Sequence, residues 1–166
     1  MASTIEKFDS AGGFSVDKTV VVDEDRNAKD INSLEIKNSF YTDSKTSHYI
    51  LRGLNTAVLQ LNNVGGQIPL AANTLNFITA HVIGTNPQGE VYSAKIESAV
   101  IYDANGIGGV LSSMRTVIKD DIPSAQTWDI VPLAGTNLFS YSTTRAGTTN
   151  NIKWVASTQV VTIEWA

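Results

Sequence analysis

The sequence holds no cysteine in its 166 residues, so disulfide staples and thiolate chemistry are excluded at the outset. No apolar run approaches the ~18 residues of a membrane-spanning helix, and no membrane partner is expected. Basic residues are few: 12 against 16 acidic ones, for a net charge of −4 and a pI near 5.0. No two of them are adjacent. A nucleic-acid binder ordinarily gathers Lys and Arg into a patch, so no nucleic-acid partner is expected either. The opening stretch, MASTIEKFDSAGG, lacks the apolar core of a signal peptide, which predicts synthesis and folding in the cytoplasm. Strong helix formers are thin, and no window keeps a 3.6-residue period for three turns. The nearest helical candidate, Asp23 to Asp30 (DEDRNAKD), is polar all round and reads as a loop or a single turn.

What is present is β texture: Thr, Val, Ile, Ser and Asn, punctuated by Gly. VDKTVVV reads as a strand from Val16 to Val22. INSLEIK sets Leu34 and Ile36 on one face, and AVLQL does the same for Ala57, Leu59 and Leu61. TLNFITAHVIG is apolar on both faces, with Leu75 and Phe77 on one and Ile78, Ala80 and Val82 on the other. Such a strand lies in the middle of a sandwich or under a partner. EVYSAKIESAVIYD is the longest strand candidate, with Tyr92, Ala94, Ile96 and Val100 facing one way between turns at NPQG and DANG. GGVLSSMRTVIK, WDIVPL, NLFSYS and a final strand follow. Strands recurring every ~8–12 residues predict an all-β protein, an antiparallel β-sandwich or jelly-roll-like domain over residues 48–166. Residues 1–47 differ. They carry nine of the sixteen acidic residues and only short apolar pieces, and read as an extended N-terminal arm with one or two strands. An arm that long suits an assembly, where it orders against a neighbour.

The last strand changes sides. Ile152, Trp154 and Ala156 alternate on one face, while Val161, Ile163 and Trp165 fall on the other. A bulge at Ser157 to Gln159 would restore one common face. Otherwise Trp165 leaves the core and packs on another subunit, as interface tryptophans do.

Catalytic constellations do not emerge. The sequence holds two histidines and no HxxxH, GxSxG or phosphate-cradling loop. His81, on the Leu75/Phe77 side of its strand, reads as a satisfied structural histidine, and His48 has no evident carboxylate partner. GIGG at Gly106 to Gly109 leads into a strand and is a turn. Asp23 to Asp25 lack the glycine and distal glutamate of a calcium loop, and Lys119 to Asp121 read as a strand-ending turn. The expectation is a non-enzyme with no metal and no cofactor.

Two stretches carry a resemblance. TVVVDEDRNAKDINSLEI, within Phe14 to Ser39, resembles a segment of tailed-bacteriophage fibre and other virion proteins, those of cyanobacterial phages among them. Phe77 to Trp165, with FITAHVIGT, EVYSAKIESAVIYD, WDIV and IKWVA, is similar to a small β-domain of phage virion proteins. These are strand-and-turn patterns that together cover most of the chain. The resemblance implies a virion structural protein. Fibre proteins usually run longer and show repeats or shaft segments, which are missing here. An arm plus one sandwich fits a capsid decoration or cement protein on the outer capsid surface. Its implied partners are the major capsid protein or another virion protein, and further copies of itself, a trimer being favoured. The arm would add strands to an exposed edge through Thr19, Val20, Val21 and Val22 and through Leu34 and Ile36, with Trp165 as an anchor. The rival expectation is a short tail fibre or adaptor that binds a host surface glycan through Tyr102, Tyr141, Asn105 and Asn137.

Overall fold

The computed structural model describes residues 14–16, 19–22, 28 and 33–166. Twelve strands run in chain order: β1 (Phe14–Val16), β2 (Thr19–Val22), β3 (Ser33–Lys37), β4 (Ser44–Leu54), β5 (Ala57–Val58), β6 (Ile68–Pro69), β7 (Thr74–Thr85), β8 (Val91–Tyr102), β9 (Gly108–Asp121), β10 (Thr127–Ala134), β11 (Leu138–Ala146) and β12 (Lys153–Glu164). All their pairings are antiparallel, and the fold class is the predicted all-β sandwich.

The chain divides into two compact units, Met1–Asn32 and Ser33–Ala166. In the first, β1 pairs with β2, and Val22 bridges Ala28. In place of one strand from Val16 to Val22, β1 ends at Val16, β2 runs from Thr19 to Val22, and the two pair antiparallel. The rest of DEDRNAKD lies outside the described residues. The division drawn at 47/48 falls inside β4, because β3 and the first half of β4 are ladder members of the main sheet. Acidic residues and short apolar pieces set that boundary in the sequence, whereas backbone pairing decides membership in a sheet.

The second unit is the sandwich. Its larger sheet has the order β3-β4-β12-β7-β8-β9, and its smaller sheet the order β10-β11-β5, with β6 also paired to β11. Alternation explains the core. Ile78, Ala80 and Val82 of β7 point inward with Ala94, Ile96 and Val100 of β8 and Trp154, Ala156 and Val160 of β12. Trp128 and Ile130 of β10 and Phe139 and Tyr141 of β11 close over them from the other sheet. Trp154 meets Tyr92 and Trp128 edge-on, each at a centroid distance of 6.1 Å, a geometry that aromatic quadrupoles favour. Asn55 pins the indole in place. Held at φ 60°, its carbonyl accepts from Trp154 Nε1 at 3.0 Å while its side-chain oxygen accepts from Ile152 N at 2.9 Å.

β12 pairs without a slip from Lys153 to Ile163 on both sides. The bulge alternative for this strand therefore fails. Thr158, Val160 and Thr162 continue the inward face that Trp154 and Ala156 begin, and Thr162 is satisfied by a bond to Asn76 Oδ1 at 2.7 Å. Val161 and Ile163 consequently face away from the core.

Candidate functional site

The inner face of the large sheet is covered by the small one, and within the Ser33–Ala166 unit nothing covers the outer face. Register places the outward side chains in rows across the strands. One row runs Ile36, Thr46, Val161, Phe77, Ala99 and Ser112, and the next runs Ser44, Ile163, Leu75, Ile101 and Gly109. Five of these are large apolar side chains in the open: Ile36 (59% exposed), Phe77 (51%), Ile163 (50%), Val161 (47%) and Leu75 (40%). Leu34 stands on the neighbouring row with His48, and both are exposed. Trp165 continues β12, its backbone N bonded to Asn73 O, and leaves half its side chain exposed. Farther along the same face, Ile50, Ile83 and Leu54 are exposed as well.

Three of the sequence-derived interface residues, Leu34, Ile36 and Trp165, thus belong to the large sheet's open side or its end. Thr19, Val20, Val21 and Val22 belong to the other unit. Their backbone is already engaged with β1, and Val22 is exposed, while the side chains of Thr19, Val20 and Val21 lie outside the described residues. Sequence reasoning missed Phe77, Val161 and Ile163 as surface residues. The signal was there in the two-faced apolar pattern of TLNFITAHVIG, which allowed either a second protein layer or a partner. No layer of the described sandwich lies over that side.

Polar groups form a belt across the middle of the face. Its central members are Gln159, Thr79 and Glu97 on one row and Ser157, His81 and Lys95 on the next. Lys95 Nζ and Glu97 Oε1 pair at 2.9 Å. His81 shares the side of Leu75 and Phe77 as the alternation required, yet it is exposed and not enclosed as a satisfied core histidine would be. At the β3 edge, Lys45 hydrogen-bonds Glu35 at 2.7 Å and holds that carboxyl below the usual carboxylate range. On the covered side, Arg115 of β9 pairs with Asp129 of β10, which keeps the guanidinium firmly charged against partial burial.

The loop-aromatic shelf proposed for glycan binding is not assembled from the expected rings. Tyr102 and Tyr141 are buried in the core. Tyr102 donates to Leu138 O at 2.5 Å, and burial pushes its hydroxyl up to about 12. Burial also raises Tyr141, whose hydroxyl lies beside that of Thr158 without closing a hydrogen bond to it. Asn105 and Asn137 are exposed at one corner, where Asn137 N bonds Gly106 O at 2.8 Å. Gly106 itself needs its φ of 74° to close the turn on Asp103, whose carboxylate accepts from Asn105 N and Ile107 N. Proximity to a turn signal suggested exposure for the two tyrosines. The packing of the second sheet decides otherwise.

Among the described residues no group of three or more His, Cys, Asp or Glu side chains could hold a metal ion. The acidic Asp23 to Asp25 lie outside them. Lys119 to Asp121 are the end of β9 and not a turn.

No family model matches the chain, and no curated protein matches it in sequence. Among solved structures it is similar to a tailspike protein from the Acinetobacter baumannii bacteriophage Fri1, a capsular polysaccharide depolymerase. The identity is 12% and the TM-score 0.42, over 81% of this chain and 21% of that one. The chain therefore spans about a fifth of that protein's length.

Proposed function

We propose that this chain is a non-enzymatic structural protein of a tailed-phage virion, and within that class an outer capsid decoration or cement protein. It would bridge capsomers on the shell, with the major capsid protein as its partner and further copies of itself beside it. The observation that carries this reading is the open outer face of the large sheet, where Ile36, Phe77, Val161 and Ile163 are exposed together. A contiguous apolar patch of this kind on a small domain marks a contact surface. The sequence resemblance of the Phe14–Ser39 segment and of Phe77–Trp165 to phage virion proteins supplies the setting. In this role each copy adds modest contacts, and many symmetry-related copies sum them into resistance to the pressure of packaged DNA.

The test has two parts. Immunogold labelling of intact virions should decorate the whole head. Added to empty shells, the purified protein should raise their disruption temperature. Gold confined to the tail or neck, or shells whose disruption temperature does not move at saturating protein, would overturn the reading.

A further inference from the structure

The outer face of the large sheet differs from an ordinary solvent face in three ways. First, its apolar side chains lie on adjacent strands in register, so they form a continuous surface. The pair Phe77 and Val161 stands directly across the β7–β12 ladder, and Leu75 and Ile163 stand across the next outward step. Second, its area is that of a stable protein contact. The four long strands β4, β12, β7 and β8 give a face about 40 Å by about 19 Å, on the order of 750 Å². Specific interfaces bury about 800 Å² per partner. Third, its charges do not call for a partner of opposite sign. Lys95 and Glu97 neutralise each other at the centre. Of the remaining cations of these strands, Lys45 has the inward parity of its partner Thr162 and pairs with Glu35, and Arg52 and Lys153 lie toward the end where β4 pairs Leu54 with Lys153.

We propose that a second copy of this chain covers this face, the two large sheets packing outer face to outer face about a two-fold axis that runs along the strands between β7 and β12. This inference rests on the reading of the chain as a self-associating structural protein and assigns the open face to that self-association, which leaves the capsid contact to the rest of the chain. A two-fold axis in that direction sets Phe77 of one copy against Val161 of the other and Leu75 against Ile163, so apolar rows meet apolar rows. It sets the β4 side of each copy over the β8 side of the other, so Arg52 stands clear of its own symmetry mate, while Lys153, on β12 beside the axis, lies about one strand spacing from its mate at the end of the face. Aligned sheets with interdigitating side chains are a standard sandwich geometry, here built between chains. The polar belt of Gln159, Thr79 and Ser157 supplies amide and hydroxyl groups that can pair with themselves across the axis. A highly charged partner surface would find counter-charges only at the Arg52 and Lys153 end and would lose water over the apolar rows without return.

Sedimentation velocity on the full chain over a wide concentration range tests this, with Phe77→Glu, Val161→Glu and the control Val131→Glu. Val131 is exposed on the outer side of the small sheet, so the control adds the same charge away from the proposed contact. The wild type and the control should sediment as dimers. Each substitution on the large sheet should weaken dimerisation by at least a hundredfold. Circular dichroism should stay near the wild type, because both side chains are half in solvent, and the denaturant midpoint should fall no lower than that of wild type diluted until its dimer dissociates. A wild type that is monomeric or trimeric throughout, a folded Phe77→Glu that remains dimeric, or a control that dissociates would overturn the proposal. Shell binding is scored separately. A monomer that still raises the shell disruption temperature sinks the dimer and spares the virion reading. A dimer without effect on shells does the reverse.

Discussion

Trp154 and Gly84 stand opposite each other in the β12–β7 ladder, and the indole occupies the space that a side chain at position 84 would need. A β-carbon there would sit 2.6 Å from Cζ3 of Trp154. The ring cannot swing aside without giving up its edge contacts to Tyr92 and Trp128 and its bond to Asn55. Gly84→Ala should therefore lower the unfolding free energy by about 1–3 kcal/mol through overpacking. Denaturant titration measures the loss. In a double-mutant cycle with Trp154→Leu the same alanine should cost much less, and equal costs in both backgrounds would refute the steric account.

Asn55 offers a second test, because its three functions separate by substitution. Its positive φ suits Asn or Gly, its carbonyl serves Trp154 and Thr143, and its side-chain oxygen serves the N–H of buried Ile152. Asn55→Gly loses the last of these, together with the exposed bond from Asn55 Nδ2 to Asn151 Oδ1. That variant should cost about 1–3 kcal/mol, the penalty of a buried donor left unpaired. Asn55→Asp keeps an acceptor and should cost less. If Gly and Asp were equally mild in thermal unfolding, the Ile152 bond would carry no weight.

Two buried tyrosines should respond oppositely to loss of the hydroxyl. Tyr102 donates to Leu138 O, which also accepts from Gly135 N, and Tyr102→Phe removes the first of these bonds at a cost of about 0.5–1.5 kcal/mol. The Tyr141 hydroxyl closes no hydrogen bond, and neither does Oγ1 of Thr158. Tyr141→Phe should leave stability within about 1 kcal/mol of the wild type or raise it. Matching losses in the two variants' melting curves would contradict this assignment.

Alkaline pH should weaken the fold through Tyr102. Its hydroxyl titrates at about 12 when folded against 10.0 in the unfolded chain, so the folded state holds the proton more tightly. The stability this provides is fully present below pH 10 and is lost as pH rises toward 12. The slope is about 1.4 kcal/mol per pH unit for that one group. Denaturant midpoints across the alkaline range should fall in the wild type and fall less in Tyr102→Phe. A wild-type midpoint flat through this window would dismiss the linkage.

Truncation should follow the compact units. Removing residues 1–32 leaves every strand of the sandwich intact, and the shortened protein should keep the wild-type unfolding midpoint. Removing residues 1–47 strips β3 and the first residues of β4, exposes a flank of β12, and should lower the midpoint and promote aggregation. On the proposed function, the 1–32 deletion should also weaken shell binding. Equal binding by the shortened and whole chains would remove the N-terminal segment from the capsid contact.

Alternation made much of the sandwich legible. Tyr92, Ala94, Ile96 and Val100 face the core as the sequence pattern of β8 required, and so do Ile78, Ala80 and Val82 of β7. Period two says which side chains share a face, but not which face a second layer will cover. Leu75 and Phe77 could be read as core for that reason, and so could the His81 that shares their side. The same limit hid the burial of Tyr102 and Tyr141, since a ring next to a turn is enclosed only if the opposite sheet reaches that far. In β12 the two apolar sets on opposite parities were real. Sequence alone left a slip in register open, and the unbroken pairing to both β4 and β7 removes it. Leu34 and Ile36 were singled out as strand-pairing residues and Trp165 by the parity of β12, and the register places all three on the open side of the large sheet or at its end. The centre of that face was not legible, because Phe77 and Val161 come together only once β7 and β12 are known to be neighbours.

The edge strand β9 carries two register shifts against β8, which leave Leu111 and Ile118 as extra residues, and both are exposed. Each shift kinks the strand and spoils the straight row of donors and acceptors that an incoming strand would need. Sideways growth of the large sheet is thereby capped at that end, and copies cannot zip edge to edge into an open ribbon. Concentrated on a surface, this protein can accumulate as discrete closed units and stay clear of the cross-β fibre that a long apolar edge would otherwise seed.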